Sequence, residues 1–210
     1  HILNRALQGA RRITGPPPLV KGATPMTTPE YEHLIVRGDL LCRQALALGW
    51  MRAARMADVL ALRRGSLWLE GADLAIELGA EKAKQLGIPG FILVTLPVRE
   101  KLLLLPLIAP CPPASAPLTR PPLLDLTYAR FRTYLTTHRP PGSQVTPHSM
   151  RKGAVLKMLQ AGQPLKNIAL ITQHRSALGL MAYVSRLDRQ TRTRMESASA
   201  AIAGIMPRAS

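Results

Sequence analysis

The stretch that decides the fold is TPHSMRKGAVLKMLQAGQPLKNIALITQHRSALGLMAYV, residues 146–184. It places His148 and Arg151 at the start of one predicted helix, His174 after a second helix, and Tyr183 further on. Arginine keeps its charge at physiological pH and holds phosphate oxygens with planar hydrogen bonds. A phenol, with an ordinary pKa of about 10, needs a base or a positive field to become a nucleophile, and imidazole supplies the base. This order of residues predicts phosphodiester chemistry with a tyrosine nucleophile and needs no metal.

Such chemistry calls for a second arginine, because two guanidinium groups pin the phosphate and offset its developing charge. Arg55 is the candidate, on a predicted helix over residues 55–63 that is entered from Gly49. Asp58 lies three residues after Arg55, on the same helix face, where a carboxylate can orient a guanidinium group. The sequence therefore predicts that Arg55 joins the site formed by residues 146–184.

The set Arg55-x-x-Asp58, His148-x-x-Arg151, His174 and Tyr183 resembles the catalytic domain of the tyrosine recombinase (phage integrase) family. The resemblance runs over residues 23–195, and the Pro-rich and Arg-rich composition is similar to that of recombinases of mobile elements. It implies an enzyme that cuts and rejoins DNA strands through a 3′-phosphotyrosyl intermediate, without a cofactor or a metal. It also implies double-stranded DNA as partner and a homo-tetramer on the DNA synapse.

The resemblance assigns a role to each residue of the set. Tyr183 attacks the scissile phosphate, Arg55 and Arg151 hold it with help from His174, and His148 assists proton transfer. In the family a lysine on a β-hairpin between the two arginine motifs protonates the leaving 5′ oxygen. Lys82 is favoured for that role and Lys84 is the alternative, because both lie in the connection between two predicted strands.

The expected fold is mainly α with a small antiparallel β-sheet, an α+β arrangement. Strands are predicted at 72–76 and 90–96 with a neighbour near 66–69. Helices are predicted at 28–48, 55–63, 123–137, 148–161 and 164–172, and a further helix holds Tyr183. Thr28 is the expected cap of the first helix, and Leu102 to Pro122 is expected to be a surface connection. Residues 1–22 are interpreted as the end of a preceding helical region and a linker, and 23–210 as the catalytic domain.

Charge and cysteine content agree with a DNA-acting protein. The chain has 28 Lys and Arg against 12 Asp and Glu, a net charge of +16, which favours a polyanionic partner. A coding bias that inflates Arg, Ala and Pro together is the competing explanation. The two cysteines and the lack of a signal-peptide pattern or a long apolar run predict a soluble, intracellular protein without a membrane span.

Three other functions remain open at this level. A type IB topoisomerase uses the same set of catalytic residues, but it relaxes supercoiled DNA without joining new strands. A binding-only descendant of a mobile element would keep the fold and lose activity. An unrelated RNA-binding protein is the weakest alternative, because an aromatic content of 4% offers few stacking platforms for single strands.

Overall fold

The computed structural model describes residues 23–78, 90–110 and 120–172. Helices make up most of this part, beside one three-stranded antiparallel sheet, so the predicted fold class is confirmed. In chain order the elements are α1 Thr28–Ile35, α2 Leu40–Met51, α3 Met56–Leu60, β1 Leu67–Glu70, β2 Asp73–Glu77, β3 Phe91–Thr95, α4 Val98–Leu104, α5 Tyr128–His138, α6 Pro147–Gln160 and α7 Leu165–Thr172.

The core is built around α2. Its sequence LLCRQALALGWM is buried on nearly every face, which is the pattern of a helix enclosed by other elements. It packs against α1, α3, α4, α5 and α6. Gly49 lets α6 approach closely, because a Cβ atom there would lie 2.2 Å from the Cε atom of Met150. The C-terminal end of α2 therefore lies directly against the start of α6.

The predicted single helix over 28–48 is wrong, because the chain forms two helices. Gly38 has a φ of 75°, a conformation that breaks a helix, and Asp39 then caps α2 by accepting a hydrogen bond from the backbone N–H of Cys42. The predicted cap is also one residue off. Thr27, rather than Thr28, caps α1, because this register brings Glu30 back to the Thr27 backbone N–H and completes a capping box.

The sheet follows the prediction closely. β2 lies in the middle and pairs with β1 and β3, with Ile76 opposite both Leu67 and Ile92. The tight turn between β1 and β2 uses Gly71, whose φ of 63° favours glycine. All three strands lie within one residue of their predicted positions, and their pairing buries Leu74, Ala75 and Ile76 of β2 in the core.

Helix α3 is shorter than the predicted 55–63 helix, and Gly49 belongs to α2 instead of leading into it. Residues after Leu60 leave the helix because their backbone groups pair with a distant segment. Leu62 accepts a hydrogen bond from Leu123, and the Arg64 N–H donates to Pro121. Tertiary hydrogen bonds therefore end a helix that local spacing would have continued.

The expected surface connection from Leu102 onward begins inside a helix, and this is a further correction. Residues 98–104 form α4, whose inner face carries Leu104 and Glu100, both buried. The Glu100 carboxylate accepts a hydrogen bond of 2.8 Å from the hydroxyl of Tyr31 on α1. Among the described residues, no helix combines the length and apolar character that crossing a bilayer requires.

The N-terminal residues of the described part cross α6. Residues 23–27 form this crossing segment, in which the Met26 N–H donates to the Ser149 carbonyl and the Lys152 ammonium donates to the Ala23 carbonyl. Gly153 permits the crossing, because a Cβ atom there would lie 1.9 Å from the Met26 carbonyl oxygen. The crossing segment is thus fixed to the first turns of α6.

Candidate active site

The start of α6 presents two of the predicted site residues on one face. Thr146 caps the helix, accepting from the Ser149 N–H, and the Ser149 hydroxyl accepts from the Thr146 N–H in return. His148 is therefore held in the first turn, exposed, and Arg151 follows three residues later on the same side of the helix. The helix was predicted to begin at 148, so its position is confirmed to within one residue.

Arg151 is almost completely buried, with 2% of its surface exposed. Its Nη1 atom donates to the carbonyl of Ala53 at 2.9 Å, and its Nη2 atom donates to the carbonyl of Thr172 at 2.9 Å. Ala53 precedes Arg55 by two residues, and Thr172 precedes His174 by two residues. The Arg151 side chain therefore links the start of α6 to the backbone two residues before Arg55 and two residues before His174 in the sequence.

Arg55 stands at the N-cap position of α3 and is exposed to solvent. The backbone reaches it through a tight turn after α2, in which Ala53 has a φ of 46°. This left-handed conformation costs a residue with a Cβ atom about 1–2 kcal/mol. The turn leaves the Ala53 carbonyl free to accept the hydrogen bond from Arg151. The turn and the buried arginine thus stabilise each other, and together they position Arg55.

The three described residues of the predicted set lie close enough to act on one another electrostatically. Burial lowers the pKa of His148 below its ordinary value of 6.5, and the positive charges of Lys152, Arg151 and Arg55 lower that pKa further. The imidazole is consequently neutral at physiological pH, and a neutral imidazole can accept a proton. The structure therefore brings Arg55, His148 and Arg151 together.

Arg52 is a cation of this cluster that the motif pattern did not single out. It ends α2, is 4% exposed, and its Nε atom has no hydrogen-bond partner among the described residues. Burial lowers its pKa to about 10; the Asp58 carboxylate acts in the opposite direction, and Arg151 lowers the pKa further. The signal available in the sequence was Arg52-x-x-Arg55, two arginines three apart at the end of an apolar helix.

Four residues of the predicted site are outside the described part of the chain. Lys82 and Lys84 lie in the connection between β2 and β3, and His174 and Tyr183 follow α7. The roles of these four residues stay predictions. Within the described ranges, no group of three or more His, Cys, Asp or Glu side chains is arranged to hold a metal ion.

The described cluster is a compact positive centre beside one neutral base. Arg55, Arg151 and Lys152 carry three positive charges near His148, and Arg52 lies near Arg151, while Asp58 is the carboxylate that acts on Arg52. Desolvated cations have a stronger field than exposed ones, and that field favours a bound oxyanion. Such a centre can bind a phosphate group and accept a proton next to it.

Comparison with solved structures identifies this fold as that of tyrosine recombinase catalytic domains. XerA recombinase aligns over 88% of this chain with a TM-score of 0.58 and 16% identity. The XerH site-specific recombinase bound to its difH substrate aligns over 84%, with a TM-score of 0.55 and 15% identity. The Tn1549 transposon integrase in complex with circular intermediate DNA aligns over 93%, with a TM-score of 0.55 and 15% identity.

The aligned region is a part of each of these proteins. This chain spans 66% of the XerA chain, 53% of the XerH chain and 76% of the Tn1549 integrase chain. No protein-family model and no curated protein matches the chain in sequence. At these identities the likeness establishes the fold, and the chemistry of the site is argued separately.

Proposed function

We propose that this chain is the catalytic part of a site-specific DNA recombinase or integrase, which cuts and rejoins strands through a 3′-phosphotyrosyl intermediate. The observation that carries the proposal is the meeting of Arg55, His148 and Arg151 in a tyrosine recombinase fold. Arg55 and Arg151 lie far apart in sequence, and the Ala53 carbonyl that Arg151 binds precedes Arg55 by two residues. Such an arrangement fits a phosphate site better than a solvated basic surface.

In the proposed reaction Tyr183 attacks the scissile phosphorus through its phenolic oxygen. A bond forms between that oxygen and phosphorus, and the bond from phosphorus to the 5′ oxygen breaks. His148 accepts the phenolic proton, since its lowered pKa keeps the imidazole unprotonated before the attack, and Lys82 gives a proton to the leaving 5′ oxygen. Lys84 is the alternative donor. The proton lost by Tyr183 and the proton gained by the 5′ oxygen are thus both accounted for by side chains, without a cofactor or a metal.

The phosphate is held by groups with different degrees of exposure. Arg55 is exposed and binds the phosphate directly. Arg151 is buried; it holds the Ala53 turn that precedes Arg55, and its positive charge acts on the phosphate without direct contact. His174 is proposed to complete the set from the segment that follows Thr172. The covalent link conserves the energy of the phosphodiester bond, so a 5′ hydroxyl of another strand reverses the step without ATP.

The proposed partner is double-stranded DNA. Two structural neighbours, XerH and the Tn1549 integrase, were solved with DNA bound, and the net charge of +16 supports the same partner here. We extend the proposal to a homo-tetramer on the DNA synapse, to residues 23–210 as the catalytic domain, and to residues 1–22 as a linker from a preceding region. Recombination of a mobile element is the proposed setting.

The test is trapping of the covalent complex. The protein is incubated with a pool of nicked suicide duplexes that carry a randomised central segment, so that no target site has to be known. Denaturing gels then show a protein–DNA adduct, and sequencing of the adduct's DNA gives the site. We expect an adduct from the parent chain, in the presence of EDTA as well as without it.

Matched tyrosine variants give the controls. Tyr183→Phe removes the proposed nucleophile and should abolish the adduct, whereas Tyr128→Phe changes an exposed tyrosine of α5 and should leave the adduct intact. An adduct that survives in Tyr183→Phe contradicts the assignment of the nucleophile. Duplex binding with no adduct from the parent chain would instead indicate a binding-only remnant, and plasmid relaxation without strand joining would indicate a topoisomerase.

A further inference from the structure

The outer face of α4 carries large apolar side chains. Val98 and Leu102, together with Leu105 directly after the helix end, recur at helical spacing and are 77%, 70% and 54% exposed. Side chains at i, i+4 and i+7 form one stripe along a helix. Val36 and Leu40, from the end of α1 and the start of α2, are also large, apolar and exposed. Clustered exposed apolar side chains of this kind mark interaction sites more often than isolated ones do.

A groove of about 440 Å³ lies between these elements. Residues from both sides line it; they include Val36, Leu40, Arg43, Arg99, Leu102 and Pro106. We call it the α4 groove. Its volume accommodates two or three apolar side chains of a partner, the number that one face of a short helix presents.

The charged side chains that line the α4 groove are positive, and the nearby Glu32 acts electrostatically on one of them, Arg99. Arg43 and Arg99 belong to its lining, which contains no carboxylate, and Lys101 is exposed on the same helix. The carboxylate nearest in sequence to Leu40 is Asp39, which already accepts the Cys42 N–H and pairs with Arg130. Glu100 pairs with Arg99 but is buried and also binds Tyr31. An acidic occupant is therefore favoured over a basic one.

The α4 groove is separate from the candidate active site. Leu40 begins α2 and Arg52 caps its C-terminal end, and the 12 residues of the helix, at about 1.5 Å each, separate the two by about 18 Å. The groove and the candidate active site therefore lie at opposite ends of α2.

We propose that the α4 groove binds an amphipathic helix of an acidic partner protein, whose apolar side chains enter the groove while its carboxylates face Arg43, Arg99 and Lys101. Burial of Leu102 and its apolar neighbours against the partner supplies the affinity. Arg43, Arg99 and Lys101 set the preferred charge of the partner. The proposal does not depend on strand cleavage and is tested without it.

The probe is a labelled synthetic helix with leucines at i, i+3, i+4 and i+7 and glutamates on its flanks. Fluorescence anisotropy measures its binding to the full chain in the presence of excess duplex, which occupies the DNA-binding surface. Two further peptides complete the set, one with lysines in place of the glutamates and one with glutamines in place of the leucines. We expect the acidic amphipathic helix to bind at micromolar concentration and both others to bind at least about tenfold more weakly.

Leu102→Gln is the decisive variant, since its exposed side chain makes little contribution to folding. It should weaken binding of the acidic helix about tenfold, whereas Leu69→Gln, at an exposed leucine of β1, should change it less than about twofold. Equal thermal unfolding midpoints for the three proteins confirm that the fold is kept. The proposal is overturned by absent binding, by equal binding of the lysine peptide, or by Leu102-dependent self-association in sedimentation, which would assign the groove to a second copy.

Discussion

At the scale of one residue, Gly153 controls how α6 meets the crossing segment. A Cβ atom there would lie 1.9 Å from the Met26 carbonyl oxygen and 2.9 Å from the Trp50 ring. We predict that Gly153→Ala destabilises the fold by about 1–3 kcal/mol, because backbone and ring must both move to admit the methyl group. Urea unfolding followed by circular dichroism measures this change.

The control for that prediction is Gly90→Ala. A Cβ atom at Gly90 meets no other atom within 4 Å, so this substitution should change stability by less than about 0.5 kcal/mol. Equal stability of the Gly153→Ala variant and the parent chain would show that the close crossing of α6 is absent in solution.

His148 gives a second prediction at this scale. Its lowered pKa means that, as pH falls below 6.5, the unfolded chain takes up the proton before the folded chain does. Stability linked to His148 is therefore complete above pH 6.5 and is lost as pH falls through the folded pKa. We expect an NMR titration to place that pKa below 6.5, and Arg55→Gln to raise it because one repelling cation is removed.

Two variants make the titration specific. His148→Gln identifies the signal among the five histidines, and Arg130→Gln changes an exposed arginine of α5 that is not among the groups acting on His148. A His148 pKa that moves equally in Arg55→Gln and Arg130→Gln would contradict the proximity of Arg55 and His148.

Residue spacing predicted part of the described site and missed another part. His148 and Arg151 could be recognised because helix geometry alone places residues three apart on one face. Arg52 could not, since its burial depends on the contact between α2 and α6, which no local pattern encodes. The Ala53 turn was missed for a related reason: its left-handed conformation is stabilised by a distant arginine, not by a glycine at that position.

At the scale of elements, a half-buried ion pair connects the segment that begins at Arg120 to the sheet. Arg120 donates to both carboxylate oxygens of Glu77 on β2, at 2.8 and 2.6 Å, and to the carbonyl of Arg64. Ser66 also donates to Glu77. We predict that Arg120→Ala destabilises the fold by about 3 kcal/mol, because it leaves a half-buried carboxylate without its cation.

Arg120→Lys should restore only part of that loss, since one ammonium nitrogen cannot replace both Nη2, which binds Glu77, and Nη1, which binds the Arg64 carbonyl. Arg130→Ala is the matched control, because it breaks a 3.4 Å pair with Asp39 on the surface and should cost less than about 1 kcal/mol. Thermal or urea unfolding compares the three variants. Equal losses for Arg120→Ala and Arg130→Ala would show that burial does not strengthen the Arg120 pair.

The strands were predictable and some helices were not, for physical reasons that differ. β2 and β3 each contain a short apolar run, at 74–76 and 91–94, and a bounded apolar run of this length is typical of a strand. The break at Gly38 was missed because Asp39 and its cap outweigh the helical spacing of the apolar residues around them. Helix α4 was missed because the prolines near it indicate a loop, while burial of Leu104 and the Tyr31–Glu100 hydrogen bond favour a helix.

At the scale of the whole molecule, the net charge of +16 predicts how DNA binding responds to salt. If about six phosphates are neutralised, affinity for a duplex should fall about a thousandfold between 50 and 200 mM salt. Fluorescence anisotropy with a labelled duplex at several salt concentrations measures the slope. A slope that corresponds to fewer than about two phosphates would favour coding bias as the origin of the arginines.

The crossing segment also gives the molecule a mechanical property. Backbone and side-chain hydrogen bonds join residues 23–27 to Ser149 and Lys152, which flank His148 and Arg151. A pull on the polypeptide at Ala23 is therefore transmitted to the first turn of α6 before it reaches any other helix of the described core. Ser149 and Lys152 lie within one helical turn of the site residues, so a displacement of one or two ångströms in residues 23–27 would change the distance between His148 and the neighbouring arginines.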